Sequence, residues 1–315
     1  MIYFGVDIGG TGIKVGVVSP EGKLLHMDSA PTQAALGYEV LAADIAALIN
    51  KIMSEKGISL DEVGGIGLGC PGSIDDKNGV VIYSNNINMT NAPLCDEVKK
   101  HIDKPVYIGN DANCAALGEY FALNDSSIEH MVAITLGTGV GGGVIINKKI
   151  YTGFNGVAGE LGHTSLIMDG EQCTCGRKGC WEAYASVTAL NRDAIRAAEK
   201  APESQLAKEI AANGGKSNGK ILFGCAKNGD ETAIAVMNQY AKYVAAGIVD
   251  LINIFQPEYL VIGGGVSAQG DYLLNPIRKY VSAETYGGSL VKNPEIRMAT
   301  LGNDAGIIGA ALLAL

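Results

Sequence analysis

One imidazole and three thiols fall close together in the chain: His163, then Cys173, Cys175 and Cys180. Thiolates and a neutral imidazole are ligands of tetrahedral Zn²⁺, and four protein ligands leave no coordination position for water. The pattern predicts a structural Zn²⁺ site. Glu160 and Glu182 flank the cluster, so a metal there would hold the two carboxylates in fixed relation. Acceptors held in this way suit hydrogen bonds from vicinal hydroxyls of a sugar. Cys70, Cys95, Cys114 and Cys225 read as buried thiols. Seven cysteines, an odd number, behind an opening Met1-Ile2-Tyr3-Phe4-Gly5 that lacks a basic leader, suit a reducing cytoplasmic setting rather than a disulfide framework.

The second chemical signal is glycine. The chain has 43 glycines in 315 residues, about twice the usual ~7%, and they are clustered rather than periodic. Ile8-Gly9-Gly10-Thr11-Gly12 follows an apolar run that ends at Asp7. Exposed amides of such a turn can cradle phosphate. Asp7 could hold a hydrated Mg²⁺ against ATP, with the Thr11 hydroxyl, the turn amides and Lys14 on phosphate oxygens. Shifting the sequence by 128 places Gly9 on Gly137 and Val17 on Ile145, so Gly137-Thr138-Gly139 repeats the device. Such a duplication implies two similar α/β halves facing each other across a cleft. Gly137 to Gly142 also fits GxGxxG, but a dinucleotide fold needs a helix next, and Val144-Ile145-Ile146 reads as a strand. Gly215-Lys216-Ser217 lacks the earlier glycine of a P-loop, since Ile210 stands there. Gly263-Gly264-Gly265 follows a strand, yet Glu284 lies in helix-like sequence and not at a strand end.

The elements that position these residues follow from periodicity. Ile2 to Ile8, Ile13 to Val18 and Leu24-Leu25 read as strand, strand and strand, and residues 131 to 150 repeat the plan. Leu41, Ile45, Leu48, Ile49 and Ile52 have helical spacing, with Gly57 as C-cap. Val63 to Gly69 and Pro105 to Gly109 are expected strands, and Leu94 to Ile102 a helix. Residues 183 to 256 read as mainly helical with a break at Asn213-Gly214-Gly215, Tyr259 to Ile262 as a strand, and Ala305 to Leu315 as a closing helix. The length suits two domains at ~150 residues each. The expected division is a smaller α/β domain over 1–118, with helix 303–315 packing back on it, and a larger α/β domain over 119–302 carrying the zinc segment 163–180. A net charge of -9 disfavours nucleic acid. The terminal apolar run is too short for a bilayer that needs ~20 residues.

In order along nearly the whole chain, Asp7-Ile8-Gly9-Gly10-Thr11, Cys70-Pro71-Gly72, Gly109-Asn110-Asp111-Ala112-Asn113, Leu136 to Gly143, Gly159-Glu160-Leu161-Gly162-His163, Cys173 to Glu182 and Ile262 to Gly265 resemble the ROK family of repressors and sugar kinases. The resemblance implies a two-domain actin-like, ribonuclease-H-like ATPase fold. It also implies a sugar site of Gly72, Asn86, Asn110, Asp111, Glu160, His163 and Glu182, with His163 serving both zinc and sugar. Asp7, Gly9, Gly10, Thr11, Lys14, Gly137, Thr138, Gly139, Gly263, Gly264 and Gly265 would face the nucleotide. The family's repressors carry a DNA-binding segment before the first glycine turn; six residues precede Asp7 here, which resembles the stand-alone kinases. Gly153 to Glu160 looks most like their glucokinases, implying ATP-dependent conversion of glucose to glucose 6-phosphate by a homo-oligomer, dimer or tetramer. Alternatives within the family are fructokinase and N-acetylmannosamine or N-acetylglucosamine kinase; outside catalysis stands a sugar-sensing regulator. Asp111 is the candidate base, following a strand and opening a helix, where the N-terminal dipole favours its ionised form. An N-cap aspartate would occupy the same place. Trp181 stands where smaller aliphatic residues are common in the family.

Overall fold

The computed structural model describes residues 1–33 and 36–315. In chain order the strands are β1 (Ile2–Ile8), β2 (Gly12–Val18), β3 (Leu24–Pro31), β4 (Val63–Cys70), β5 (Ser73–Asp75), β6 (Val80–Ser84), β7 (Met89–Ala92), β8 (Val106–Asn110), β9 (Met131–Leu136), β10 (Val140–Ile146), β11 (Lys149–Ile150), β12 (Tyr259–Gly263) and β13 (Glu295–Met298). The helices are α1 (Tyr38–Lys56), α2 (Leu94–Lys99), α3 (Asp111–Ala122), α4 (Glu182–Ala185), α5 (Val187–Lys200), α6 (Gln205–Ala212), α7 (Gly219–Lys227), α8 (Glu231–Phe255), α9 (Asp271–Glu284) and α10 (Ala305–Leu312). One five-stranded sheet has the order β3-β2-β1-β4-β8, and a second repeats that plan as β11-β10-β9-β12-β13. Contacts divide the chain into one unit of residues 1–129, 143–159 and 300–315 and another of residues 130–142 and 160–299.

In the first unit β1 runs antiparallel to β2 and parallel to β4, which is parallel to β8. Alternation along β1 and β4 explains both faces of this sheet. Phe4, Val6, Ile8, Ile66 and Leu68 join Leu41, Ile45 and Ile49 of α1 in one buried cluster. On the opposite face stand Gly5 and Gly67, where a Cβ would overlap the carbonyls of Ile307 and Ala310. The glycine face thus lets α10 lie directly on the strands. The same close approach joins α10 to α3, because Gly309 meets the Cys114 carbonyl and Gly118 the Ala305 carbonyl. Gly57 ends α1 in the left-handed conformation expected of a C-cap glycine.

Strands β5, β6 and β7 form a separate antiparallel sheet that the sequence reading did not anticipate. They have 3, 5 and 4 residues, too few to show a period, and asparagines fill the turn after β6. Asn88 and Asn91 take left-handed φ values of 50° and 49°, which asparagine tolerates better than other non-glycine residues. The helix expected over Leu94 to Ile102 is shorter, ending at Lys99, and β8 begins one residue later than expected, at Val106.

In the second unit β12 pairs in parallel with β9 and β13, and α4 to α9 are its α-helices. The break at Asn213 falls between α6 and α7, as the sequence suggested. Trp181 is wholly buried. Its Nε1 donates to the Tyr243 carbonyl at 2.8 Å, and its ring occupies the space where a Cβ on Gly247 of α8 would sit. Gly247→Ala gains ~1 kcal/mol of helix propensity but forces the indole to move, so a net destabilisation of about 1–2 kcal/mol is expected. Denaturant melts should show Trp181→Leu combined with Gly247→Ala costing less than the sum of the two single changes; strict additivity would contradict this packing. Among the described residues no helix is long and apolar enough to cross a membrane.

Candidate active site

In the first unit, the start of α3 decides which residue caps the helix. Asn110, not Asp111, is the N-cap: its Oδ1 accepts from the amides of Ala112 at 2.9 Å and Asn113 at 3.2 Å. Asp111 is therefore the first helical residue, and the capping role considered for it belongs to its neighbour. Asn110 Nδ2 donates to the Gly72 carbonyl at 3.1 Å, which ties two predicted sugar-site residues together. With its oxygen engaged, Asn110 can offer a ligand only the second Nδ2 hydrogen. Gly72 has φ 110°, and a Cβ there would overlap the Tyr83 carbonyl. Asn86 is exposed in the turn after β6, with its carbonyl 3.4 Å from the place of a Cβ on Gly10. Burial, together with the Asp111 charge, pushes the neighbouring Cys70 thiol above its ordinary range, so Cys70 stays protonated beside the candidate base.

The first glycine turn closes through the Gly9 amide, which donates to the Gly12 carbonyl at 2.8 Å. The amides of Gly10 and Thr11 donate to no group among the described residues. Asp7 faces Lys14 across the β1–β2 register, with Nζ 3.8 Å from Oδ2. Burial raises the Asp7 carboxyl above the usual carboxylate range and Lys14 partly offsets this, so a cation beside Asp7 would favour the charged form.

The second glycine turn, in the other unit, repeats the first. The Gly137 amide donates to the Gly139 carbonyl at 3.0 Å, and the Thr138 and Gly139 amides have no acceptor among the described residues. Glu182 reaches this turn: its Oε2 accepts from the Val140 amide at 3.0 Å. Its Oε1 lies 3.3 Å from Thr174 Oγ1 and 3.5 Å from Cys173 Sγ. Glu160 is exposed, and its carbonyl accepts from the His163 amide at 3.1 Å. Gly162 packs against the Val140 carbonyl, bringing the Glu160 to His163 turn against β10.

The donor atoms of His163, Cys173, Cys175 and Cys180 lie within 4.8 Å of one another. A tetrahedron with ~2.3 Å metal–sulfur bonds has sulfur–sulfur edges of about 3.8 Å. Cys175 Sγ and Cys180 Sγ are 3.6 Å apart, and Cys173 Sγ is 3.7 Å from His163 Nδ1. This Cys₃His cluster fits a structural Zn²⁺. Arg177 braces it, donating to the His163 carbonyl at 3.1 Å and to Ser165 Oγ at 2.6 Å. Sequence reasoning missed Arg177 and Thr174, since an arginine and a threonine in a loop carry no spacing signal.

Gly263 ends β12, and Gly264 packs against the Leu136 backbone with φ 88°. A cavity of about 500 Å³ opens beside Gly265, lined also by Val266, Val187, Phe223, Lys220 and Lys227. Lys227 Nζ donates to Gln269 Oε1 at 2.9 Å on its rim. These side chains come from α5, from α7 and from the turn after β12, far apart in sequence, so no local motif announced them.

The ROK family model matches residues 3–315, and the chain belongs to the ROK family. It is 39% identical over 312 residues to a protein named glucokinase from Halalkalibacterium halodurans, spanning 99% of this chain and 94% of that one. A Thermotoga maritima glucokinase is likewise 39% identical, with 98% and 95% covered. Among solved structures, a ROK family glucokinase from Streptomyces griseus in complex with glucose and AMPPNP superposes with a TM-score of 0.83 at 38% identity, covering 99% of each chain. The fold is the actin-like, ribonuclease-H-like fold expected from the motifs.

Proposed function

We propose that the protein is an ATP-dependent kinase that phosphorylates glucose, giving glucose 6-phosphate. The observation that carries the reading is the matched pair of glycine turns, each folded back through its first glycine and each leaving the next two amides without an acceptor among the described residues. Full-length kinship to proteins named glucokinase supports the choice of sugar.

Phosphoryl transfer requires an in-line nucleophile, neutralised phosphate charge and a base at the attacking hydroxyl. Gly9, Gly10, Thr11 and Lys14 hold phosphate in the first unit; Gly137, Thr138 and Gly139 do so in the second. Gly263 and Gly264 lead from β12 to Gly265, which borders the cavity that accepts the adenosine, with Phe223 and Val266 as its apolar contacts. Asp7 holds hydrated Mg²⁺, which supplies charge neutralisation when bound. Asn86, Gly72, Asn110, Glu160, His163 and Glu182 bind the sugar. Asp111 accepts the proton of the attacking hydroxyl. His163 turns Nδ1 toward Cys173, which leaves Nε2 for the sugar. The zinc site fixes the segment carrying Glu160 and Glu182 and takes no part in transfer. The reading includes a cytoplasmic homo-oligomer, dimer or tetramer, checked by light scattering.

An acetamido group at C2 replaces a hydroxyl and adds bulk, so a site that hydrogen-bonds the C2 hydroxyl loses a partner on meeting it. We expect kcat/KM for glucose to exceed that for N-acetylmannosamine by about 10²-fold or more. Coupled ADP-release assays across glucose, fructose, mannose and both N-acetylhexosamines test this; comparable or reversed efficiencies overturn the sugar assignment and leave the kinase assignment standing.

A further inference from the structure

The second glycine turn is held by one short corner of the chain, the junction of α4 and α5. Val187 donates its amide to the Gly137 carbonyl at 2.8 Å. Thr188 Oγ1 donates to the Thr138 carbonyl at 2.7 Å. Glu182 Oε2 takes the Val140 amide, and a Cβ on Gly139 would run into that carboxylate. The corner is itself rigid. Ser186 caps α5 through the Ala189 amide, Arg192 Nη1 donates to the Ala183 carbonyl at 2.9 Å, and the buried Tyr240 hydroxyl donates to the Ala185 carbonyl at 2.8 Å. The other oxygen of Glu182 faces Thr174 and Cys173 of the metal loop.

From this geometry we infer that Glu182 and Thr188 are positioning residues for the nucleotide, fixing the Thr138 and Gly139 amides where phosphate meets them. The inference rests on the reading of Gly137 to Gly139 as a phosphate loop. It gives Glu182 a task separate from any contact with sugar: one carboxylate joins the metal loop to the phosphate loop. Val140 is buried. Without Glu182 its amide loses its acceptor, and the turn must shift to recover one from water. Losing Thr188 Oγ1 frees the Thr138 carbonyl to rotate with its peptide, and that peptide carries the Gly139 amide.

The test is calorimetric titration of the full-length zinc-loaded protein with a nonhydrolysable ATP analogue and Mg²⁺, in the absence of sugar. Glu182→Ala is expected to raise Kd about 10-fold or more, on the scale of a lost hydrogen bond to a charged group. Glu182→Gln keeps an oxygen for the Val140 amide and should stay within about 3-fold of the parent. Thr188→Val should weaken the analogue about 3-fold or more with glucose affinity unchanged, and it carries the test should Glu182→Ala fail to fold. Parent-like nucleotide affinity in Glu182→Ala and Thr188→Val overturns the inference, as does equal weakening by Gln and Ala at 182. A parent protein that fails to bind the analogue instead overturns the phosphate-loop reading itself.

Discussion

Asp111→Asn is expected to lower kcat by about 10²-fold or more while leaving glucose binding largely intact, the usual scale for losing a positioned base. The substitution is nearly isosteric, and the cap geometry makes it clean. Asn110 satisfies the first amides of α3 through its own side chain, so Asn at 111 disturbs no capping bond. What is lost is the capacity to accept the hydroxyl proton during transfer. Steady-state kinetics and glucose titration of the same preparation separate the two effects. Near-normal turnover would remove Asp111 from the mechanism.

The other large effect is expected from the metal. Elemental analysis should find one zinc per chain, and Cys180→Ser, at a wholly buried ligand, should lose it together with the ordered structure of residues 163–182. Apparent binding free energies of structural zinc are of order 10 kcal/mol, large against the stability of a domain. Limited proteolysis and circular dichroism report the loss of order. Zinc-free protein with unchanged fold and activity would contradict the site.

Much of this was legible because the signals were local. The paired hairpins announced themselves by apolar runs broken at Gly9 and Gly137, and the metal ligands by residue type and spacing within one short segment. Gly57 ended α1 as its position after the last periodic residue implied. The choice between Asn110 and Asp111 as cap was not legible, because both can cap and they are adjacent. Glu119 shows the wider limit. No period or motif singles it out, yet it is buried and accepts from the amides of Thr300 and Leu301, at 2.9 Å and 2.8 Å, from the far end of the chain. Thr188 on the glycine turn and Trp181 on Gly247 are of the same kind. Each role is defined by a partner distant in sequence, and no period or motif encodes the partner.

Transfer of the terminal phosphoryl group of ATP to glucose is the central claim, and product analysis tests it most directly. Phosphorus and carbon NMR of protein incubated with Mg·ATP and ¹³C-labelled glucose should show one ADP formed for each hexose phosphate, with the phosphate on the C6 oxygen and no ADP formed when glucose is omitted. ADP appearing with inorganic phosphate alone, or no consumption of ATP in the presence of glucose, would contradict it.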